Sequence, residues 1–148
     1  MVVTTDVGDA DDIHPTRKRP VGERLALAAR ALTYGEPIEY SGPIFKSMTT
    51  KSDRAVISFN HTGTGLRETA GEFKGFTLAG ADGKFLPARA MIDGSTVVVT
   101  SETISKPVAV RYGWAMMADG NLFDREGLPA APFRTDRPAG QKRAAEMK

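Results

Sequence analysis

The 148-residue chain contains no cysteine, which excludes disulfide bonds and thiolate metal sites. It has no apolar run near the roughly 20 residues a membrane-spanning helix requires, so no membrane partner is expected. Its opening, Met1-Val2-Val3-Thr4-Thr5-Asp6, lacks the basic and long apolar regions of a secretory signal, and the sequence leaves the compartment open. It lacks a strong excess of either charge. Lys+Arg number 20 against 18 Asp+Glu, for a net charge of +2. The pI near 9.0 therefore overstates how basic the surface is. The basic residues that stand out form short clusters, Arg17-Lys18-Arg19 and Gln141-Lys142-Arg143. A nucleic-acid partner would require a broader basic face and is not expected.

What is present fits a globular chain. The hydrophobic fraction of 41% is ordinary. The length suits one domain, or one small domain plus a piece of another. Val2-Val3-Thr4-Thr5 is β-branched throughout and predicts a short strand ending at Asp6. A Gly- and Asp-rich loop follows to Pro15. A helix is then predicted from about Thr16 to Tyr34, because Val21, Leu25, Ala28, Ala29 and Leu32 recur at helical spacing. Thr16 is the expected N-cap and Gly35 the expected stop, with Pro20 tolerable only near the first turn.

The character of the sequence changes at Pro37. Beyond it, glycine-punctuated β-rich runs predict strands at Ile44–Met48, Arg54–Asn60, Gly75–Ala79, Phe85–Ile92, Thr96–Thr100 and Val108–Trp114. Such spacing points to an antiparallel β-sandwich. Asp93-Gly94 is the best hairpin signal, and Val97-Val98-Val99 suits a central strand. The expected organisation is a strand–loop–helix over 1–36, a β-sandwich domain over 37–136 and a disordered tail over 137–148, with at most a frayed helix over Gln141–Met147. One strand cannot form a sheet by itself, so the first segment reads as the end of a larger α/β domain.

The segment richest in chemistry runs from Asp6 to His14. It holds four carboxylates (Asp6, Asp9, Asp11, Asp12) and one histidine within nine residues, between a predicted strand end and a helix start. Loops after strands are where sites form in open α/β sheets. A carboxylate close before a histidine can accept the imidazole N–H and fix its tautomer, leaving the other ring nitrogen as general base toward a hydroxyl. The residues alone leave two other readings open: an Asp-rich loop that caps the helix, and an Asp/His metal site. The latter has only one histidine and lacks EF-hand spacing.

Asp11-Asp12-Ile13-His14, followed by Pro15 and then Val21-Gly22-Glu23-Arg24-Leu25-Ala26-Leu27, resembles the last conserved block of the SGNH (GDSL-like) ester hydrolases, sialate O-acetylesterases in particular. The similarity continues through Tyr34-Gly35, Tyr40-Ser41-Gly42-Pro43, Gly75-Phe76, Ala79-Gly80-Ala81-Asp82, Val110-Arg111-Tyr112-Gly113-Trp114 and the run from Glu126 to Asp136. The resemblance implies an SGNH α/β remnant before the sandwich. It implies hydrolysis of acetyl esters on O-acetylated sugars or glycans, without a cofactor. It gives His14 the role of general base and Asp11 that of the orienting acid, with Asp12 the alternative. The family's nucleophilic serine block and oxyanion-hole blocks have no counterpart here: Gly8-Asp9 is followed by Ala10, and Ser41 and Ser95 stand in turn contexts. The isolated chain is therefore expected to be inactive, or to work with an upstream catalytic segment. The alternative function is a non-catalytic carbohydrate-binding or interaction module.

Four further expectations follow from the residues. Asn60-His61-Thr62 fits a glycosylation acceptor pattern, but a surface turn is the stronger reading. Tyr112 and Trp114 are expected in the core rather than on a sugar-binding surface. Phe133 and Arg134 are expected to pin the C-terminal strand to the body. Val21, Leu25 and Leu32, without a sheet beneath them, are expected to dock on the sandwich, to pair two copies in a homodimer, or to stay partly exposed.

Overall fold

The computed structural model describes residues 1–14, 16–69, 71–116 and 119–136; the expected tail, with its frayed helix, lies outside them. The described residues form one helix and ten strands. The helix α1 is Arg19–Leu32. The strands are β1 Ile44–Lys51, β2 Arg54–Asn60, β3 Leu66–Glu68, β4 Phe76–Ala79, β5 Phe85–Pro87, β6 Arg89–Asp93, β7 Thr96–Thr100, β8 Ala109–Tyr112, β9 Leu122–Asp124 and β10 Phe133–Arg134. One sheet runs β1-β2-β7-β6 and a second β10-β8-β4-β5, with β3-β9 as a small ribbon. Every pairing between strands is antiparallel. The mainly β, antiparallel fold expected from the spacing is what forms.

The core follows from period-two alternation. In β2, Ala55, Ile57 and Phe59 point inward and are buried, while Arg54 and Asn60 at its ends are exposed. Ile57 pairs with Val97 and Ala55 with Val99 across β2 and β7. The second sheet turns Phe76, Leu78, Val110 and Tyr112 to the same core. Phe133 on β10 joins the two layers. It stacks on Phe45 at 4.9 Å between ring centroids and meets Phe59 at 5.9 Å on one side, and lies 5.9 Å from Tyr112 on the other. The expectation that Phe133 and Arg134 pin the C-terminal strand to the body holds, since β10 pairs with β8 through Phe133–Tyr112 and Arg134–Arg111.

Asp93 and Thr96 pair across a two-residue turn in which Gly94 takes φ +60. This is the hairpin that Asp-Gly announced. A conformation with positive φ suits glycine, which has no Cβ to clash. The run Phe85–Ile92 is not one strand. β5 pairs with β4 in the second sheet, and β6 pairs with β7 in the first. At Ala88, whose N–H donates to the Phe76 carbonyl at 3.1 Å, the chain crosses between layers.

The N-terminal segment departs from expectation. Val2–Thr5 forms no strand. β-branched residues favour an extended chain, but a strand needs a partner to take up its N–H and C=O groups, and none lies beside it. Helix α1 starts at Arg19 with Lys18 as N-cap and no side-chain cap, so Thr16 is not the cap. Pro20 falls in the first turn, where its missing N–H costs no hydrogen bond. At the other end Gly35 takes φ +72, and the Glu36 N–H reaches back to the Arg30 carbonyl at 3.1 Å. The apolar side of α1 stays open: Leu25 is 55% and Leu32 64% exposed. Its single buried residue is Arg24. Among the described residues no helix is long and apolar enough to cross a membrane.

Candidate active site

The Asp6–His14 segment is a series of tight turns built by its own carboxylates. The Asp11 N–H donates to Asp9 Oδ1 at 3.0 Å, and the His14 N–H donates to Asp12 Oδ1 at 2.7 Å. Aspartate side chains favour such bonds to the backbone two residues on. The same Asp12 Oδ1 lies 3.3 Å from His14 Nδ1, an ion-pair distance once the ring is protonated. Asp12 therefore adjoins the imidazole. No ion pair or hydrogen bond joins the Asp11 carboxylate to His14 among the described residues. The pair is open to solvent, with side chains 77% exposed at His14 and 59% at Asp12.

Asp6 does something else. Its carboxylate receives two parallel bonds from Arg24, Nη1 to Oδ1 at 2.6 Å and Nη2 to Oδ2 at 2.7 Å. Arg24 Nη1 also reaches the Val3 carbonyl at 3.0 Å, and Arg17 Nη1 the Asp6 carbonyl at 3.2 Å. The fork geometry of guanidinium matches a carboxylate, and charge-assisted bonds of this kind are the strong ones. The helix thus holds the loop that precedes it. Counting carboxylates along the segment did not separate Asp6 from the rest. Its partner stands 18 residues away, and no local pattern joins them.

A cleft of about 860 Å³ lies between this segment and the far end of the sandwich. Asp6, Asp9, Arg17 and Arg24 line it from one side, and Asp119 and Asn121 from the other. His14, Asp11 and Asp12 are not part of its lining. The His14–Asp12 pair therefore faces solvent outside that lining. Among the described residues no three His, Asp or Glu side chains converge as a metal site would require.

The sandwich side of the cleft is rigid for identifiable reasons. Asn121 is buried. Its Nδ2 donates to the carbonyls of Thr69 at 3.0 Å and Glu72 at 3.1 Å, and its Oδ1 accepts from the Lys74 N–H at 2.8 Å. Beside it, the Leu122 N–H donates to the Tyr112 hydroxyl at 2.9 Å. Burial pushes the Tyr112 phenol up to about 12, so it serves as a neutral core group. The expectation of a buried Tyr112 holds; that of a buried Trp114 does not. Trp114 is 51% exposed because it follows Gly113, which takes φ +59 and turns the chain off the end of β8.

His61, the other histidine, takes φ +55 in a turn and is half-buried. Its Nδ1 lies 2.8 Å from Glu39 Oε1, and its ring meets Tyr40 edge-on at 5.3 Å. These contacts bind the linker after α1 to the end of β2.

An antiparallel β domain with an Asp/His loop before it fits a β-rich domain of an esterase. The solved structure of a novel carbohydrate acetylesterase from Xanthomonas citri is similar to the chain at 50% sequence identity and a TM-score of 0.87. The match covers 91% of this chain and 32% of that one, so the chain spans about a third of the length of the enzyme it matches. No protein-family model matches the sequence. No curated protein matches it either.

Proposed function

We propose that the chain is the C-terminal part of a sialate O-acetylesterase-like SGNH ester hydrolase, and that it contributes the general base to an active site completed by other sequence. The likeness to a carbohydrate acetylesterase over nine-tenths of the chain carries this reading. The adjacency of His14 Nδ1 and Asp12 supports it. In the reaction a serine hydroxyl attacks the acetyl carbonyl of an O-acetylated sugar. His14 Nε2 takes the serine proton and then passes it to the departing sugar oxygen. Water hydrolyses the acetyl-serine, again with His14 as base, and releases acetate.

A carboxylate on Nδ1 fixes the tautomer that leaves Nε2 free and stabilises the imidazolium formed at each transfer. Asp12 stands at that nitrogen here. Asp11, the acid the resemblance names, makes no bond to His14 among the described residues. The exposure of His14 and of the apolar side of α1 suits a surface that other sequence covers.

The test is hydrolysis of p-nitrophenyl acetate by the purified chain beside its His14→Ala variant. The chain alone is expected to show no turnover above the variant. A rate that His14→Ala abolishes would mean that the described residues hold a complete site, and the need for other sequence would fall.

A further inference from the structure

The one tryptophan of the chain is half-exposed at 51%. Large aromatic side chains normally bury 150–250 Å² each, and an exposed one set in a concave apolar surface marks a binding site more often than a solitary surface leucine does. Trp114 is also held in place. The Arg134 guanidinium lies 5.3 Å from its ring centroid. Arg134 is in turn bound to Asp136, whose other partner, Arg111, donates from Nη2 to Oδ2 at 2.7 Å. The two guanidinium groups hold the Asp136 carboxyl well below its ordinary range, so the anion persists. The indole therefore rests on a fixed cation that belongs to a strand of the sandwich.

Beside the indole runs a groove of about 440 Å³, within the range of small-ligand sites. Phe73 and Pro87 give it an apolar wall, with Phe73 stacked on Phe76 at 5.4 Å. Glu72, Lys74 and Asp119 supply donors and acceptors along its edge. An aromatic face with a few polar groups around it fits a pyranose ring. The C–H bonds on the less polar face of a sugar carry partial positive charge and lie against the negative face of the π-system. The hydroxyls around the ring rim then meet carboxylates and ammonium. Two of the three ionised groups on this edge are acidic, which disfavours a sugar that carries its own carboxylate.

We propose that Trp114 and the Phe73 groove form a stacking subsite for a neutral pyranose. It lies on the sandwich, and His14 is not part of its lining. This deepens the reading above and rests only on its carbohydrate part: the saccharide is gripped by the β domain and is neutral rather than sialic. Trp114 is the platform, and Arg134 positions it.

Binding can be read without hydrolysis, by calorimetry of the full chain with cellotetraose and xylotetraose, and with the methyl glycoside of N-acetylneuraminic acid as the acidic counterpart. Fluorescence excited selectively at the indole, away from tyrosine absorption, reports Trp114 and should shift to the blue on saturation. One of the neutral saccharides is expected to bind. Trp114→Phe should retain binding, and Trp114→Ala should weaken it by at least about tenfold, as truncation of a central aromatic contact does. Arg134→Ala should weaken it less, with an unchanged far-ultraviolet spectrum showing that the fold survives. Failure of both neutral saccharides to bind would overturn the proposal. So would binding that Trp114→Ala leaves intact, or a preference for the sialoside. Acetate release by the chain or its longer relatives plays no part in these outcomes, so loss of the esterase reading and loss of the subsite are separately visible.

Discussion

Arg24 and Asp6 face each other as a two-pronged pair, with Nη1–Oδ1 at 2.6 Å and Nη2–Oδ2 at 2.7 Å, and their side chains are only 10% and 15% exposed. This pair ties α1 to the loop that carries the candidate base. Leu25 and Leu32 of the helix face solvent and add little to that tie.

Replacing Arg24 should therefore release the loop. Arg24→Met removes the pair and leaves the Asp6 carboxylate without its partner, a local cost of about 1–3 kcal/mol. Hydrogen exchange should accelerate across residues 16–32, while the amides of β2 and β7 keep their protection. A uniform loss of protection through the sandwich would show that the segment is a structural part of the core.

Asp124 predicts a pH effect of one sign. It is fully buried, its Oδ1 accepts from the Leu128 N–H at 2.7 Å, and its Oδ2 has no partner among the described residues. Burial pushes its carboxyl up. The folded state then binds a proton more tightly than the unfolded state, so this group's contribution to stability falls as pH rises from the ordinary carboxylate range through the raised value. Urea midpoints followed against pH should show that decline in the wild type. Asp124→Asn should flatten it. An identical slope in both proteins would contradict the assignment.

Asp136 predicts the opposite sign. Its bonds to Arg111, and then to Arg134, hold its carboxyl down. The stabilisation is present above the unfolded-state value and is lost as pH falls through the lowered one. Asp136→Asn should remove this steep acid-side loss and lower stability at neutral pH. The same urea titration, carried to low pH, reads it.

Gly42 is a matter of space rather than of backbone angle. A Cβ there would sit 2.2 Å from the Pro129 carbonyl oxygen and 2.6 Å from that of Leu128. Both are backbone atoms that cannot rotate away. The Ala131 N–H donates to the Pro43 carbonyl at 2.9 Å next to this contact, so the two segments are tightly paired. Gly42→Ala should cost about 1–3 kcal/mol, the range for overpacking. Gly83→Ala, which has a φ of +71 but open space around it, should cost less. Thermal melts of the two variants side by side would show the order.

The β architecture was legible in the sequence where strands were long enough to alternate. Arg54–Asn60 and Thr96–Thr100 appear with the expected bounds, and Asp93-Gly94 makes the expected turn. The short strands β3, β9 and β10 span two or three residues each, too few for any periodicity. The split of Phe85–Ile92 was hidden because both halves are β-formers; only their pairing partners differ. Val2–Thr5 shows the reverse failing, since propensity without a neighbouring strand does not produce one.

The candidate site was legible as a cluster, because four aspartates and a histidine in nine residues stand out from any background. The division of labour within it was not. Which carboxylate adjoins His14 and which grips Arg24 depends on turn geometry, and only the structure supplies that. Trp114 eluded the sequence for a similar reason: its place on a strand pattern predicted burial, and Gly113 turned it outward.

The most direct test of the account is acetate release from an acetylated saccharide by this chain combined with a catalytic segment that supplies the serine, wild type against His14→Ala. With His14 as general base, kcat/KM should fall by at least about a thousandfold, since the members of a catalytic triad act as a unit. A variant that hydrolyses the ester as fast as the wild type would contradict the assignment of His14.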